Sequence, residues 1–168
     1  QRLSRGLGDV YKRQLYGSVV RIAPDCYPLP GDQIIGIVTL GEGVVVYPVG
    51  APALDQFEDQ PERWVTMRWE SGTMNEARLF DSRLNLTVVN RTGSLSIVAQ
   101  TLADFDANIS NLALTQRDQD FCDLTLDIEV RDVQHVEQLV NALKGSSVVS
   151  AATRQLTGEV SHSRDERK

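Results

Sequence analysis

From Cys122 to Arg131 apolar and polar residues alternate without a fault: Cys122, Leu124, Leu126, Ile128 and Val130 on one side, Asp123, Thr125, Asp127, Glu129 and Arg131 on the other. A period of two is that of a strand, so this stretch predicts one buried face and one wet face. The same period runs through Leu84, Leu86 and Val88 and breaks at Asn90-Arg91-Thr92-Gly93. It then gives way to helical spacing at Leu95, Val98, Ala99, Leu102 and Phe105. Gly93 suits the turn because it has no side chain to clash, and the hydroxyl of Thr92 or Ser94 is placed to cap the first N–H groups of the helix. Asn108 to Gln116 reads as a further strand with Leu112 and Leu114 on one face. Val133, Val136, Leu139, Val140 and Leu143 return to helical spacing, Gly145 ends that run, and Val148 to Thr153 reads as a closing strand.

The order β-α-β-β-α-β over residues 78–154 makes a four-stranded antiparallel sheet with both helices on one face, a ferredoxin-like sandwich. Upstream, Val19 to Ala23 predicts a strand, and Pro30-Gly31-Asp32 a turn. Ile34 to Thr39 and Val44 to Tyr47 are β-branched runs separated by Gly41-Glu42-Gly43, which makes a hairpin. Residues 53–62 carry a short helical pattern with Leu54 and Phe57, ended by Pro61, and Trp64, Val65, Met67 and Trp69 predict one more strand. The fold class is therefore α+β: a small β-rich unit over 15–70, a polar linker at 71–77, and the sandwich over 78–154. A unit of roughly 55 residues often needs a metal or a neighbouring domain to hold it together. Residues 1–14 (QRLSRGLGDVYKRQ) have neither period and resemble a translated sequencing adapter, so they are expected to be extraneous or disordered, on a chain that begins partway through a longer protein. Residues 155–168, polar and unpatterned, are expected to form a disordered tail.

Composition narrows the picture little. The 168 residues are 41% hydrophobic and carry a net charge of −6. No apolar run approaches the ~20 residues that span a bilayer, and no signal-peptide core opens the chain, so the cytoplasm is the expected compartment and no membrane partner is expected. Cys26 and Cys122 lie far apart and read as reduced thiols. The acidic balance argues against a broad basic surface gripping nucleic acid.

Few residues carry candidate chemistry. His135 and His162 have no nucleophile and orienting carboxylate at a recognisable spacing, and read as solvated or helix-surface histidines. Asp123, Asp127 and Glu129 share one strand face, which is either a seat for a hard cation or the wet side of a sheet. Gly41-Glu42-Gly43 lies in a hairpin and is no phosphate cradle. Arg63, Arg68, Arg78, Arg83 and Arg91 lie near the junction, as a basic stripe or as scattered surface charge. The helix start after Gly93 can present free N–H groups to a carboxylate, as many strand-to-helix turns can. No catalytic residue and no cofactor are expected.

Two segments resemble a known family. CYPLPGDQIIGIVTLGEGVVVYPV, followed by LDQFEDQPERWVTMRWE, resembles the zinc-finger-like, ribosome-intersubunit region of long RelA/SpoT homologues. NRTGSL at the first turn and ANISNL opening the second strand resemble an ACT domain, with Thr92 where that family's turn has proline. Long RelA/SpoT homologues end in these two units in this order. At the family's four zinc positions this chain carries Asp25, Cys26, Tyr47 and Ala51. Two donors cannot close a tetrahedral site, so no metal is expected, with Cys26 a small packed residue and Tyr47 filling the space of a histidine.

The resemblance implies a regulatory region, itself not an enzyme, of a GTP pyrophosphokinase and (p)ppGpp hydrolase of the stringent response, whose catalytic domains would lie upstream. It implies a homodimer through the ACT domain and a small amino acid, branched-chain ones first, bound where the first turn of one copy meets the second strand of another. Gly93 and Ser94 N–H groups would hold the carboxylate, Asn90 and Asn108 the ammonium, and Leu95 and Ile109 the side chain, with Thr92 at the turn. Two other readings are a ribosome- or RNA-docking module without a small ligand, and the regulatory end of a different amino-acid enzyme.

Overall fold

The computed structural model describes residues 19–70 and 78–158. The 1–14 segment, the 71–77 linker and His162 lie outside them.

In the first unit, β1 (Val20–Ile22), β2 (Ile34–Thr39), β3 (Gly43–Pro48) and β4 (Trp64–Thr66) form a sheet in the order β1-β3-β2-β4. The expected hairpin sets Ile35 opposite Tyr47 and Ile37 opposite Val45. Alternation gives this hairpin two apolar faces, and each has its own small core. Ile37, Ala51, Leu54 and Phe57 pack on one side, and Ile34, Val44, Val46 and Met67 on the other. Gly36 lies under Met67, where an added Cβ would come within 2.5 Å of its Sδ. The helical pattern expected over residues 53–62 is instead two 3-10 turns, Pro52–Phe57 and Pro61–Arg63. Pro61 opens the second turn and does not simply end the first, because a first-turn position needs no N–H donor.

The second unit is the expected sandwich. Strands β5 (Phe80–Val89), β6 (Asn108–Arg117), β7 (Phe121–Val130) and β8 (Val149–Gln155) lie in the order β6-β7-β5-β8, all antiparallel, with helices α1 (Ser94–Asp104) and α2 (Val133–Lys144). Every second residue of β7 from Cys122 is buried, and with Leu84, Leu86, Val88, Val98, Leu102, Leu139 and Leu143 they make one core. Strand β6 sets Leu112 and Leu114 on one face, as expected. It is an edge strand, and Leu112 and Leu114, although on the core-facing side, remain 43% and 52% exposed.

His135 is not on the helix surface; it is 2% exposed. Its Nδ1 accepts the Arg131 N–H at 3.1 Å, which leaves the proton on Nε2, 2.6 Å from the Phe105 carbonyl. The ring thus pins the end of α1 to the start of α2, where Asp132 caps by accepting the His135 N–H at 2.8 Å.

The two units are docked through the turn at 28–32. Leu29 is fully buried in the core of the second unit. Asp32 takes a two-pronged bond from Arg154, one arm at 2.9 Å, and also accepts the Leu29 N–H at 2.7 Å. Trp69 donates to the Asp32 carbonyl at 3.0 Å and meets Phe80 edge-on, and the Val133 N–H reaches the Pro30 carbonyl at 3.0 Å. Residues 155–158, expected to open a disordered tail, are instead ordered, and 159–168 lie outside the described residues. Gln155 is still strand, Leu156 accepts the Tyr27 N–H at 2.9 Å, and the Gly158 N–H reaches Asp25 at 2.7 Å.

Leu29→Ala should destabilise the chain by about 2–4 kcal/mol in urea unfolding. Fluorescence of Trp64 and Trp69, both in the first unit, should report the same single transition as far-UV circular dichroism. Two separated transitions would show that the units fold independently.

Candidate functional site

The turn between β5 and α1 is fixed from below. Asn90 donates its backbone N–H to the Asp120 carbonyl at 2.8 Å and its side-chain amide to the Asp118 carbonyl at 2.7 Å, so the turn is tied to the β6–β7 hairpin. Gly93 then takes φ 89°, a left-handed conformation that glycine adopts without penalty. It is the N-cap residue, and no side chain caps the helix, contrary to the hydroxyl cap expected of Thr92 or Ser94. The Ser94 hydroxyl, on a residue 3% exposed, has no partner. Its backbone N–H makes a long 3.3 Å bond to the Arg91 carbonyl. An uncapped helix start concentrates partial positive charge on its free N–H groups.

This end of α1 opens on a pocket of about 550 Å³, walled by residues 88–96 with Leu114, Arg117 and Cys122. Of the residues singled out from the sequence, Asn90, Thr92, Gly93, Ser94 and Leu95 line it. Asn108 and Ile109 do not. The register row Arg117–Cys122–Val88 crosses the end of the sheet that holds the turn, whereas Asn108–Glu129–Asp81 crosses the opposite end. Ile109, opposite the core residue Ile128, is on the helix side, while the Asn108 amide is held by Glu129 at 3.0 Å. Arg117 was not foreseen: nothing in the sequence places it under the helix start until the β6–β7 register is known.

The other candidates are engaged elsewhere. Asp127 is bound by both arms of Arg83, at 2.7 and 3.0 Å, and that bond holds its carboxyl below the ordinary carboxylate value. Asp123 accepts the Thr87 hydroxyl at 2.7 Å, so the acidic row is divided among neighbours. Arg63 donates to the Val38 carbonyl at 2.9 Å and lies over Phe57, and Arg83 is committed to Asp127, which leaves neither for a basic stripe. At the four zinc positions, Asp25 is exposed with φ 57°, Ala51 is buried in the core beneath Tyr47, and Tyr47 packs on Phe57. Burial, then Asp25, push the Cys26 thiol up, and burial, then Cys26, push the Tyr47 phenol up. Among the described residues no group of three acidic, histidine or cysteine side chains is placed to hold a metal, and no helix is long and apolar enough to cross a membrane.

Residues 10–70 match the RelA/SpoT RIS domain model and residues 76–154 the ACT domain model. A GTP pyrophosphokinase of Brucella ovis is 41% identical over 135 residues, 80% of this chain and 18% of that protein. A GTP pyrophosphokinase of Streptomyces coelicolor is 31% identical over 84% of this chain and 15% of its own length. The bifunctional (p)ppGpp synthase/hydrolase SpoT of Escherichia coli is 23% identical over 82% of this chain and 19% of its own length. The chain thus spans a small fraction of the relatives it matches.

Two substitutions check this geometry. Gly93→Ala meets no atom within 4 Å, so its effect is backbone strain alone, and it should cost about 1 kcal/mol in urea unfolding. A neutral result would mean the turn relaxes out of the left-handed region. Because the folded Asp127 carboxyl lies below its ordinary value of 3.8, the Arg83 pair stabilises above that pH and the contribution is lost as pH falls through the lowered value. Asp127→Asn should therefore be less stable at pH 7 and show a shallower acid slope in thermal melts. Parallel curves would contradict the pairing.

Proposed function

The chain belongs to the RelA/SpoT homologues, as their carboxyl-terminal RIS–ACT regulatory region, and from that premise we propose that it senses a small amino acid at a site completed by a second copy. The observation that carries this reading is the uncapped start of α1 opening on a pocket beside an exposed edge strand. Antiparallel pairing of β6 with the β6 of another copy would extend the sheet and cover Leu112 and Leu114. It would also set the Ile109 end of one strand against the Arg117 end of the other. The two groups of candidate residues, at opposite ends of one strand, then meet across the seam. Gly93 and Ser94 would face the ligand carboxylate, Asn90 and the partner's strand its ammonium, and Leu95 and Ile109 its side chain. Asn108, opposite Glu129 on the face of the sheet away from the helices, would not reach the ligand there.

A ligand bound at such a seam favours the paired state over the unpaired one, and that difference is the signal. In the parent protein, proposed to be a GTP pyrophosphokinase and (p)ppGpp hydrolase, the signal would shift the balance between the two activities. The RIS match favours a second role, contact with the ribosome in the intact protein.

Titration of the 168-residue chain with L-valine, L-leucine and L-isoleucine should give binding heat for at least one, with sedimentation shifting toward a dimer. Leu114→Lys should weaken both by about tenfold or more, since it places a charge in the covered seam. No heat, or binding by a chain that stays monomeric, would contradict the sensor reading. Salt-dependent pelleting with ribosomes checks the second role, which a zero slope would remove as a phosphate-mediated contact.

A further inference from the structure

Two guanidinium groups, Arg91 and Arg117, line the pocket, and no carboxylate does. Elsewhere in this domain an arginine near a carboxylate forks onto it, as Arg83 does on Asp127 and Arg154 on Asp32. Among the described residues, neither Arg91 nor Arg117 has a hydrogen-bond or ion-pair partner on its side chain. The two are not equivalent. Arg91 sits on the exposed turn, whereas Arg117 is set by the β-ladder directly opposite Cys122, itself opposite Val88, on the side of the sheet that carries the helices.

Arg117 and the uncapped start of α1 therefore line one pocket. Two sources of positive charge converge there, one a full charge in a planar fork and one the partial charge of free N–H groups. Ser94, whose buried hydroxyl has no partner, lines the same pocket. The apolar part of the lining is Val88, Val89, Leu95, Leu114 and Cys122.

We propose that Arg117 is the carboxylate-binding residue of this site, clamping the ligand's carboxylate against the start of α1 and leaving its side chain to Leu95 and to the Ile109 end of the paired strand. The inference rests on reading the pocket as an amino-acid site, and it adds which group supplies the charge. Because Arg117 ends β6, the carboxylate lies at the seam where a second copy pairs. Arg117 therefore makes pairing and ligand charge depend on each other. An amino acid whose carboxylate is blocked keeps its shape but loses the fork.

The test is calorimetry of the 168-residue chain with L-valine and L-valinamide, as wild type, Arg117→Gln and Arg117→Lys. Wild type should prefer valine over the amide by about tenfold or more, because charge-assisted forked bonds are the strong ones. Arg117→Gln should lose that preference along with about tenfold or more of its valine affinity, and Arg117→Lys should fall between. Melting temperature without ligand should stay unchanged, since Arg117 is exposed and unpaired. If Arg117→Gln binds valine with wild-type affinity and preference, the assignment of Arg117 fails while the amino-acid site stands. If wild type gives no heat with valine, leucine or isoleucine, the amino-acid reading fails and takes Arg117 with it.

Discussion

A strand at the edge of a sheet leaves half of its backbone N–H and C=O groups without a ladder partner, and β6 does so along Asn108–Arg117. Natural edges are usually short, charged or covered. This one carries Leu112 and Leu114 on the side where the helices pack, yet neither helix reaches far enough to bury them. The arrangement of the candidate site follows from that edge. Its charged end, Arg117, lines the pocket at the helix start, and its other end carries Ile109, so under the proposed pairing one strand would supply both halves of the site.

The opposite side of the sheet is managed differently. Past the end of β8, residues 156–158 pair with residues 25–27 of the first unit, and Leu29 enters the second core. The first unit, too small for a large core of its own, leans on its neighbour through this turn. Its position is then tied to α2 through the Pro30 carbonyl and the Val133 N–H, and α2 is tied to α1 through His135. A contiguous set of packed contacts thus runs from the β5–α1 turn, along α1, to the RIS domain. Coupling along it would need two arrangements of these contacts that differ in ligand affinity.

What could be read in the sequence was what a local period controls. The β7 alternation, both helices and the Ile34–Tyr47 hairpin lie where their residues predict, because burial of every second or every third to fourth position is a property of the segment itself. What escaped was decided by distant neighbours. Alternation showed which way Leu112 and Leu114 face, not that nothing in the chain covers them. His135 sits between apolar positions, and its burial depends on the Phe105 carbonyl from another helix. Pro30-Gly31-Asp32 reads as a turn, but Leu29 beside it gives no local sign that it belongs to the other unit's core. Arg117 reads as one more surface arginine until the register sets it under Gly93. The hydroxyl cap was plausible by residue type, and the left-handed Gly93 displaced it.

The central claim is that β6 pairs with itself, antiparallel, about its middle. Pulsed dipolar spectroscopy on nitroxide labels placed one at a time at Asn108, Asn111, Ala113 and Gln116 tests it most directly in the valine-saturated chain. The account predicts the shortest label-to-label distance near Ala113, growing outward in both directions by roughly 7 Å per residue, twice the strand rise. Distances that stay constant along the strand, or no dipolar coupling at any position, would contradict it.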